Sequence, residues 1–160
     1  MPKPQSFINL PVCIDWKNLS ADAVIFGVPF GKPYLQNNFP NDQSRAPFAL
    51  RSASNRIMVE HASVNMDYEG IPSLTNGMKF VDGGDIPLVD NDVSSHYLKA
   101  EQAVRYAVTK GIIPVTIGGD DGITNPVLRG LDAAGSIALI QICLLYTSDA
   151  ADEEDSVDLG

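Results

Sequence analysis

The sequence predicts an α/β fold: a three-layer α/β/α arrangement on a mainly parallel sheet, incomplete at its C-terminal end. Three observations predict it. Short apolar runs without alternation, such as Ala23-Val24-Ile25-Phe26, have the composition of strands buried on both faces. These runs alternate with stretches of helical period, in the order strand, helix, strand, helix, strand, helix, strand. Glycines and carboxylates collect where runs stop, at Gly27, Asp82-Gly83-Gly84-Asp85 and Gly118-Gly119-Asp120-Asp121. In parallel sheets, ligands bind beyond the carboxyl ends of the strands.

The first strand covers residues 23–26 and ends at Gly27. Pro47 is a helix start signal, and a short helix over 48–54 follows from it. Residues 65–76 are polar and broken by Gly70 and Pro72, so they read mostly as loop. A second strand over 79–82 is stopped by Gly83-Gly84. The clearest helix spans 94–110. Asp92 or Ser94 can cap it, and Tyr97, Ala100, Val104, Ala107 and Val108 follow the spacing of one buried face. Lys110 then Gly111 ends it, with a cation at the negative end of the dipole and a glycine free to turn left-handed. A third strand over 112–117 follows. The next helix, over 125–133, has Thr124 as its cap and Pro126 as its first helical residue. A fourth apolar strand covers 137–142.

Length and composition limit the function. The chain has 160 residues, 44% of them hydrophobic and 19% charged, which suits one domain with a real core. No run of about 18 apolar residues marks a membrane span, and no secretory signal is visible. The two cysteines, Cys13 and Cys143, have neither disulfide-framework nor zinc-knuckle spacing, and a cytoplasmic location is expected. The net charge is −9, but residues 143–160 hold six of the 20 acidic residues and no Lys or Arg. The remaining 14 acidic residues stand against 11 basic ones, a net −3, so the body is near neutral. Neither part has the basic patch that nucleic-acid binding needs.

The chemistry-bearing segment is Ile117-Gly118-Gly119-Asp120-Asp121. Two adjacent carboxylates at a strand end suit a hard divalent cation, with glycines that let the backbone approach closely. The commoner reading of such a junction is a tight turn with a helix cap, and Asp120 reads as that cap or as a loop holder. Asp82 and Asp85 read as partners of loop backbone, and Arg51 as a member of structural salt bridges. Arg45 and Arg51 together are a candidate carboxylate-binding pair. His61 and His96 read as surface histidines, and Cys13 as a packed thiol. Gly27-x-x-x-Gly31 lacks the Lys-Ser/Thr of a P-loop and the glycine spacing of a dinucleotide site, so a nucleotide-binding domain is disfavoured.

Four segments in order carry a resemblance. The stretch from Ala21 to Gly31, Ala-Asp-Ala-Val-Ile-Phe-Gly-Val-Pro-Phe-Gly, resembles the first strand and loop of the ureohydrolases, the arginase and agmatinase family. Arg45-Ala46-Pro47-Phe48-Ala49-Leu50-Arg51 resembles that family's Gly-Pro-x-x-Ile-Arg helix start. Val81-Asp82-Gly83-Gly84-Asp85-Ile86 is similar to its Asp-x-Gly-Asp-Ile segment. The run from Pro114 to Leu131 resembles the Gly-Gly-Asp-His-Ser motif and the helix after it. The similarity is nearest to agmatinase-like members. It implies a site with two manganese ions whose bridging hydroxide attacks a guanidinium carbon and releases urea and an amine. It also implies a guanidino substrate and a homo-oligomer in the intact parent. The family takes one metal ligand from the His of Gly-Gly-Asp-His, and Asp121 stands at that position here. The other ligands come from an Asp-Ala-His-x-Asp motif after the next strand and a late Asp-x-Asp. Catalytic residues are therefore expected beyond Ile142, and Asp121 is the one metal-ligand position the resemblance leaves. Two further readings stand beside the agmatinase-like one. One is a hydrolase of another guanidino substrate; the other is a non-catalytic binding or assembly protein of the same fold.

The chain divides at residue 142. Residues 1–142 are the N-terminal part of the α/β domain. The segment 143–160 opens Cys-Leu-Leu-Tyr-Thr-Ser-Asp-Ala-Ala-Asp-Glu, has little amphipathic period, and resembles translated read-through of a transposase-type sequencing adapter. It is read as a non-native or disordered tail, excluded from the fold. The apolar strand over 137–142 would then be left as an unpaired sheet edge, which templates aggregation. The acidic half of the tail has too little apolar area to offset chain entropy. Deleting 143–160 is expected to leave the thermal midpoint almost unchanged in a calorimetric scan; a large drop would make the tail part of the fold.

Overall fold

The computed structural model describes residues 6–30, 42–61, 77–87, 92–138 and 140, with the side chains of 55–61 set aside. Three strands, β1 (Ala23–Val28), β2 (Phe80–Asp85) and β3 (Ile113–Gly118), form one sheet in the order β2-β1-β3. Both pairings are parallel. Three helices accompany them: α1 (Ala46–His61), α2 (Val93–Thr109) and α3 (Thr124–Leu131).

The central strand explains the layering. All six residues of β1 are buried, as an unalternating apolar run requires. Successive side chains of a strand point to opposite faces. Val24, Phe26 and Val28 point one way, into a cluster with Ala100, Val104 and Ala107 of α2, and Val127 and Leu131 of α3 pack against it. Gly27 points the other way, toward α1, where a Cβ in its place would lie 2.7 Å from that of Pro47. Helix α1 therefore covers one face and α2 with α3 the other, which is the expected three-layer arrangement.

Strand β2 differs from its prediction. It does not stop at Gly83 but runs to Asp85. The glycines form a bulge instead: Ile25 pairs with Asp82 and Gly27 with Asp85, so β2 spends one extra residue there. Gly84, at φ 75°, takes the left-handed conformation that such a bulge favours. The N-terminal segment lies along this strand. Asp82 N–H donates to the Pro11 carbonyl at 2.8 Å, and Cys13 N–H donates to the Asp82 carbonyl at 2.9 Å. Trp16 then folds over the sheet, edge-on to Phe26 at 5.1 Å, and its indole N–H donates to the Gly83 carbonyl at 3.0 Å.

Helix α1 is longer at both ends than the predicted 48–54, because Arg, Ile, Met and Glu after Ser54 favour continuation. Helix α2 is close to its prediction, and Asp92 rather than Ser94 caps it, accepting from Ser95 N–H at 2.9 Å. Helix α3 starts at Thr124 and ends at Leu131, and Pro126 is not its first residue. A 3-10 turn, Asp121–Ile123, feeds into it, so Ile123 occupies the cap position and Thr124 does not cap. The predicted loop over 65–76 and the segment 143–160 lie outside the described residues.

The expected fourth strand, 137–142, is corrected where it is described; residues 139, 141 and 142 lie outside the described residues. Ile137, Ala138 and Ile140 belong to no strand, and Ile140 is 85% exposed. An apolar run becomes a strand only where a neighbour supplies a ladder and a face to pack on. Among the described residues, β3 is therefore one edge of the sheet, with Ile113 53% and Val115 39% exposed. Both lie on the α1 face, in register with Ala23 and Ile25. An exposed apolar edge invites pairing with another chain, and an inward-facing Lys blocks it. Val115→Lys is expected to raise the monomer fraction in size-exclusion chromatography with light scattering. An unchanged distribution would show that β3 does not drive association.

Candidate functional site

The parallel register brings the strand ends level. Gly27 of β1 stands beside Asp85 of β2, and Val28 stands beside Gly118 of β3. The segment after β1 (Pro29, Phe30) and the one after β3 (Gly119 to Asp121) therefore meet at one end of the sheet. Gly119 fits tightly there: a Cβ on it would overlap the carbonyl oxygen of Phe30 and that of Gln43. Asp120 is extended, and its Oδ1 accepts from Gly122 N–H at 3.0 Å, which closes the 3-10 turn. Asp121 is the first residue of that turn and is exposed. Gly122 is wedged beside the hydroxyl of Tyr97, which a Cβ would overlap.

Helix α2 delivers two rings to this end. His96 stacks on Phe30, with centroids 5.9 Å apart and planes 24° apart, and Phe30 meets Tyr97 edge-on at 5.1 Å. Burial first, then the charges of Asp120 and Asp121, push the Tyr97 hydroxyl above its ordinary pKa. His96 is 1% exposed, and neither ring nitrogen has a hydrogen-bond partner of good geometry among the described residues. Burial, then the charge of Lys99, hold its pKa below the ordinary value; the Pro87 backbone lies near enough only to oppose that shift.

Beneath the strand ends lies a buried ion network. Arg51, on α1, donates from Nε to Asp82 Oδ2 at 2.8 Å and from Nη2 to Asp82 Oδ1 at 3.0 Å. Its Nη2 also donates to the Gly84 carbonyl at 3.0 Å, and its Nη1 to Asp85. Asp82 accepts in addition from the Phe7 and Gly84 amides, at 2.8 and 2.9 Å. Burial alone would raise the Asp82 pKa, but the Arg51 hydrogen bonds and the two amides overcome it and hold it below its ordinary value. Burial likewise opposes the Arg51 charge, and its bonds to Asp82 and Asp85 carry it above its ordinary value.

The predicted residues fall into place unevenly. Arg51 is structural, as read, and the structure separates it from Arg45, which is exposed and 3.9 Å from Asp42. Asp82 does bind loop backbone, but its dominant partner and that of Asp85 is Arg51, which sequence reading missed. The spacing of an Asp-x-x-Asp bulge opposite a helix arginine was the available signal. Asp120 holds the turn, as expected. Cys13 is half-buried, with its thiol 3.3 Å from the Asp15 carbonyl. His96 is not a surface residue: it continues the stripe of Ala100, Val104 and Ala107 by one step of four, so helical spacing itself buries it. The His61 side chain and Gly31 lie outside the described residues. No group of three or more His, Cys, Asp or Glu able to hold a metal occurs among the described residues. Those residues therefore do not by themselves fit a manganese pair, and Asp121 stands as a single exposed carboxylate beside Asp120.

A parallel sheet covered on both faces, with its acidic turn at the carboxyl ends of the strands, places the molecule among the α/β proteins, a class whose ligands bind at strand ends. Residues 21–142 match the Arginase family, and the chain belongs to that family. Its members are metal-dependent hydrolases. Among solved structures, a variant of Trypanosoma cruzi formiminoglutamase with Mn2+ is 26% identical, at a TM-score of 0.56 over 72% of this chain and 36% of that one. Proclavaminate amidino hydrolase from Streptomyces clavuligerus is 21% identical, with a TM-score of 0.59 over 81% and 39%. A hypothetical agmatinase from Burkholderia thailandensis is 22% identical, with a TM-score of 0.58 over 80% and 38%. The last two likenesses show the fold. The chain spans well under half the length of all three. No curated protein matches the chain. No helix of the described residues is long and apolar enough to cross a membrane.

Removing one partner of a buried ion pair leaves an uncompensated charge and costs about 3–5 kcal/mol. Asp82→Ala is expected to lose about that much in urea unfolding. Because the folded Asp82 pKa is depressed, its stabilisation is complete above the unfolded value of about 3.9 and is lost as pH falls through the folded one. Asp82→Asn should therefore flatten the decline of stability below about pH 4. An unchanged acid slope would remove Asp82 from this role.

Proposed function

We propose that this chain carries the first part of a binuclear-manganese ureohydrolase that cleaves an agmatine-like guanidino compound to urea and an amine. The observation that carries the reading is the Asp120–Asp121 pair, with Asp121 exposed, on the Gly-Gly turn at the end of β3, within the segment matched to the Arginase family. That turn is where the family motif has its first metal-binding residue, and Asp121 is the residue assigned to the metal. A carboxylate is a competent ligand for a hard cation. The chain spans only 36 to 39% of the three solved structures compared above, which supports assigning the remaining ligands and the substrate pocket to sequence outside it. The 160-residue chain is accordingly proposed to be inactive alone.

Two observations favour alternatives. Formiminoglutamase structures recur among the similar ones, which supports a substrate other than agmatine with the same amidine-like carbon. The carboxylate at 121, in place of the family imidazole, favours a non-catalytic relative that has lost its metal.

Manganese binding separates these readings. Calorimetric titration of the 160-residue chain is expected to show no stoichiometric site of about micromolar affinity, since one ligand position cannot retain the ion against water. In the intact parent, Asp121→His should tighten manganese binding, because the longer imidazole restores a neutral nitrogen donor at that position. If the substitution leaves manganese affinity untouched in the parent, Asp121 is a turn residue and not a ligand. If the parent binds no manganese and releases no urea, the non-catalytic reading replaces the enzymatic one.

A further inference from the structure

A buried imidazole with both nitrogens unsatisfied costs free energy that an apolar ring of the same shape would not. Among the described residues neither ring nitrogen of His96, on the inner face of α2, has a hydrogen-bond partner of good geometry, and the Pro87 backbone is the polar group nearby. The neighbours of His96 connect it to the strand-end turn. The ring stacks on Phe30, and Phe30 packs edge-on against Tyr97. The Phe30 carbonyl fills the space beside Gly119, and the Tyr97 hydroxyl fills the space beside Gly122. Gly119 and Gly122 flank Asp120 and Asp121, so one end of the acidic turn rests on the backbone of Phe30, whose ring is in the stack, and the other on the hydroxyl of Tyr97. We propose that His96 is a positioning residue for the turn that carries Asp121, acting through Phe30 and Tyr97, and that its protonation releases the turn.

The charges around the ring set the direction. Lys99, on the same helix, disfavours a second cation. The segment after β1 presents the neutral ring of Phe30. The carboxylates of the β3 turn, Asp120 and Asp121, act on Tyr97 and not on His96. Among the described residues no anion meets an imidazolium at this position. A proton on His96 is therefore accommodated by moving the ring toward water, which withdraws the support of Phe30. The folded pKa is lowered, so the closed arrangement is favoured above the ordinary histidine value and weakens as pH falls below it.

The consequence for a metal rests on the role proposed for Asp121, but the turn can be followed without metal. Hydrogen exchange of the full 160-residue chain, read by mass spectrometry and corrected for intrinsic rates, compares about pH 7.5 with about pH 5. Protection across residues 118–124 is expected to fall several-fold on acidification, while β1 keeps its protection. His96→Phe preserves the stack and cannot titrate, so protection should be high and equal at both pH values. His96→Gln loses the stack and cannot titrate, so protection should be low and equal at both. A purely structural histidine would lower protection in the variants without any pH dependence in the wild type. The proposal is overturned if the wild-type turn shows no pH dependence, or if His96→Phe loses protection on acidification as the wild type does. Should His96→Phe fail to fold, judged by β1 protection, the wild-type and His96→Gln comparison decides in the same way. Failure of the metal assignment is read in the manganese titration of the intact parent and leaves this result standing.

Discussion

The fold turns on the buried bond between Arg51 and Asp82. It joins α1, on one face of the sheet, to the bulge of β2, and the same carboxylate takes the Phe7 amide from the N-terminal segment. Desolvating these charges is expensive, and the cost is met only because nearly every donor and acceptor has a partner. The guanidinium spans Asp82, Asp85 and the Gly84 carbonyl, a planar fork that Lys could not reproduce. Its geometry explains why β2 bulges where a straight strand was expected. Two carboxylates three residues apart must both face one guanidinium, and the left-handed Gly84 allows it.

From that anchor the strand ends are set. Asp85, held by Arg51, occupies the space beside Gly27, where any side chain would collide with it. Parallel pairing then carries the same level across to Gly118, and the turn beyond it projects Asp121 to the surface. The acidic turn is thus fixed from below by strand register and from the side by Phe30 and Tyr97. Asp121 itself is exposed.

Membership of the Arginase family and the local departure from its motif sit together in this structure. The matched segment supplies the sheet, the helices and the first acidic turn. Among the described residues it does not supply a metal cluster. The near-neutral body and the acidic segment 143–160 also behave differently as sequence, since one has the apolar period of a packed domain and the other does not.

By itself the sequence determined the layer order, the parallel sense, the α2 stripe and the position of the acidic turn. Those properties follow from local periodicity and from short-range signals such as Asp92, Lys110-Gly111 and Gly118-Gly119. Helical spacing also contained the burial of His96, had the residue type not suggested a surface. Tertiary structure alone decided the rest. Whether Gly83-Gly84 stops a strand or bulges it depends on a guanidinium 33 residues away in the chain. Whether Ile137, Ala138 and Ile140 join a strand depends on a neighbouring ladder, and none forms there among the described residues. Which groups flank the acidic turn depends on the packing of α2 against the end of β1. Local propensity reaches a few residues along the chain, while desolvation, ion pairing and ring stacking act between segments that only folding brings together.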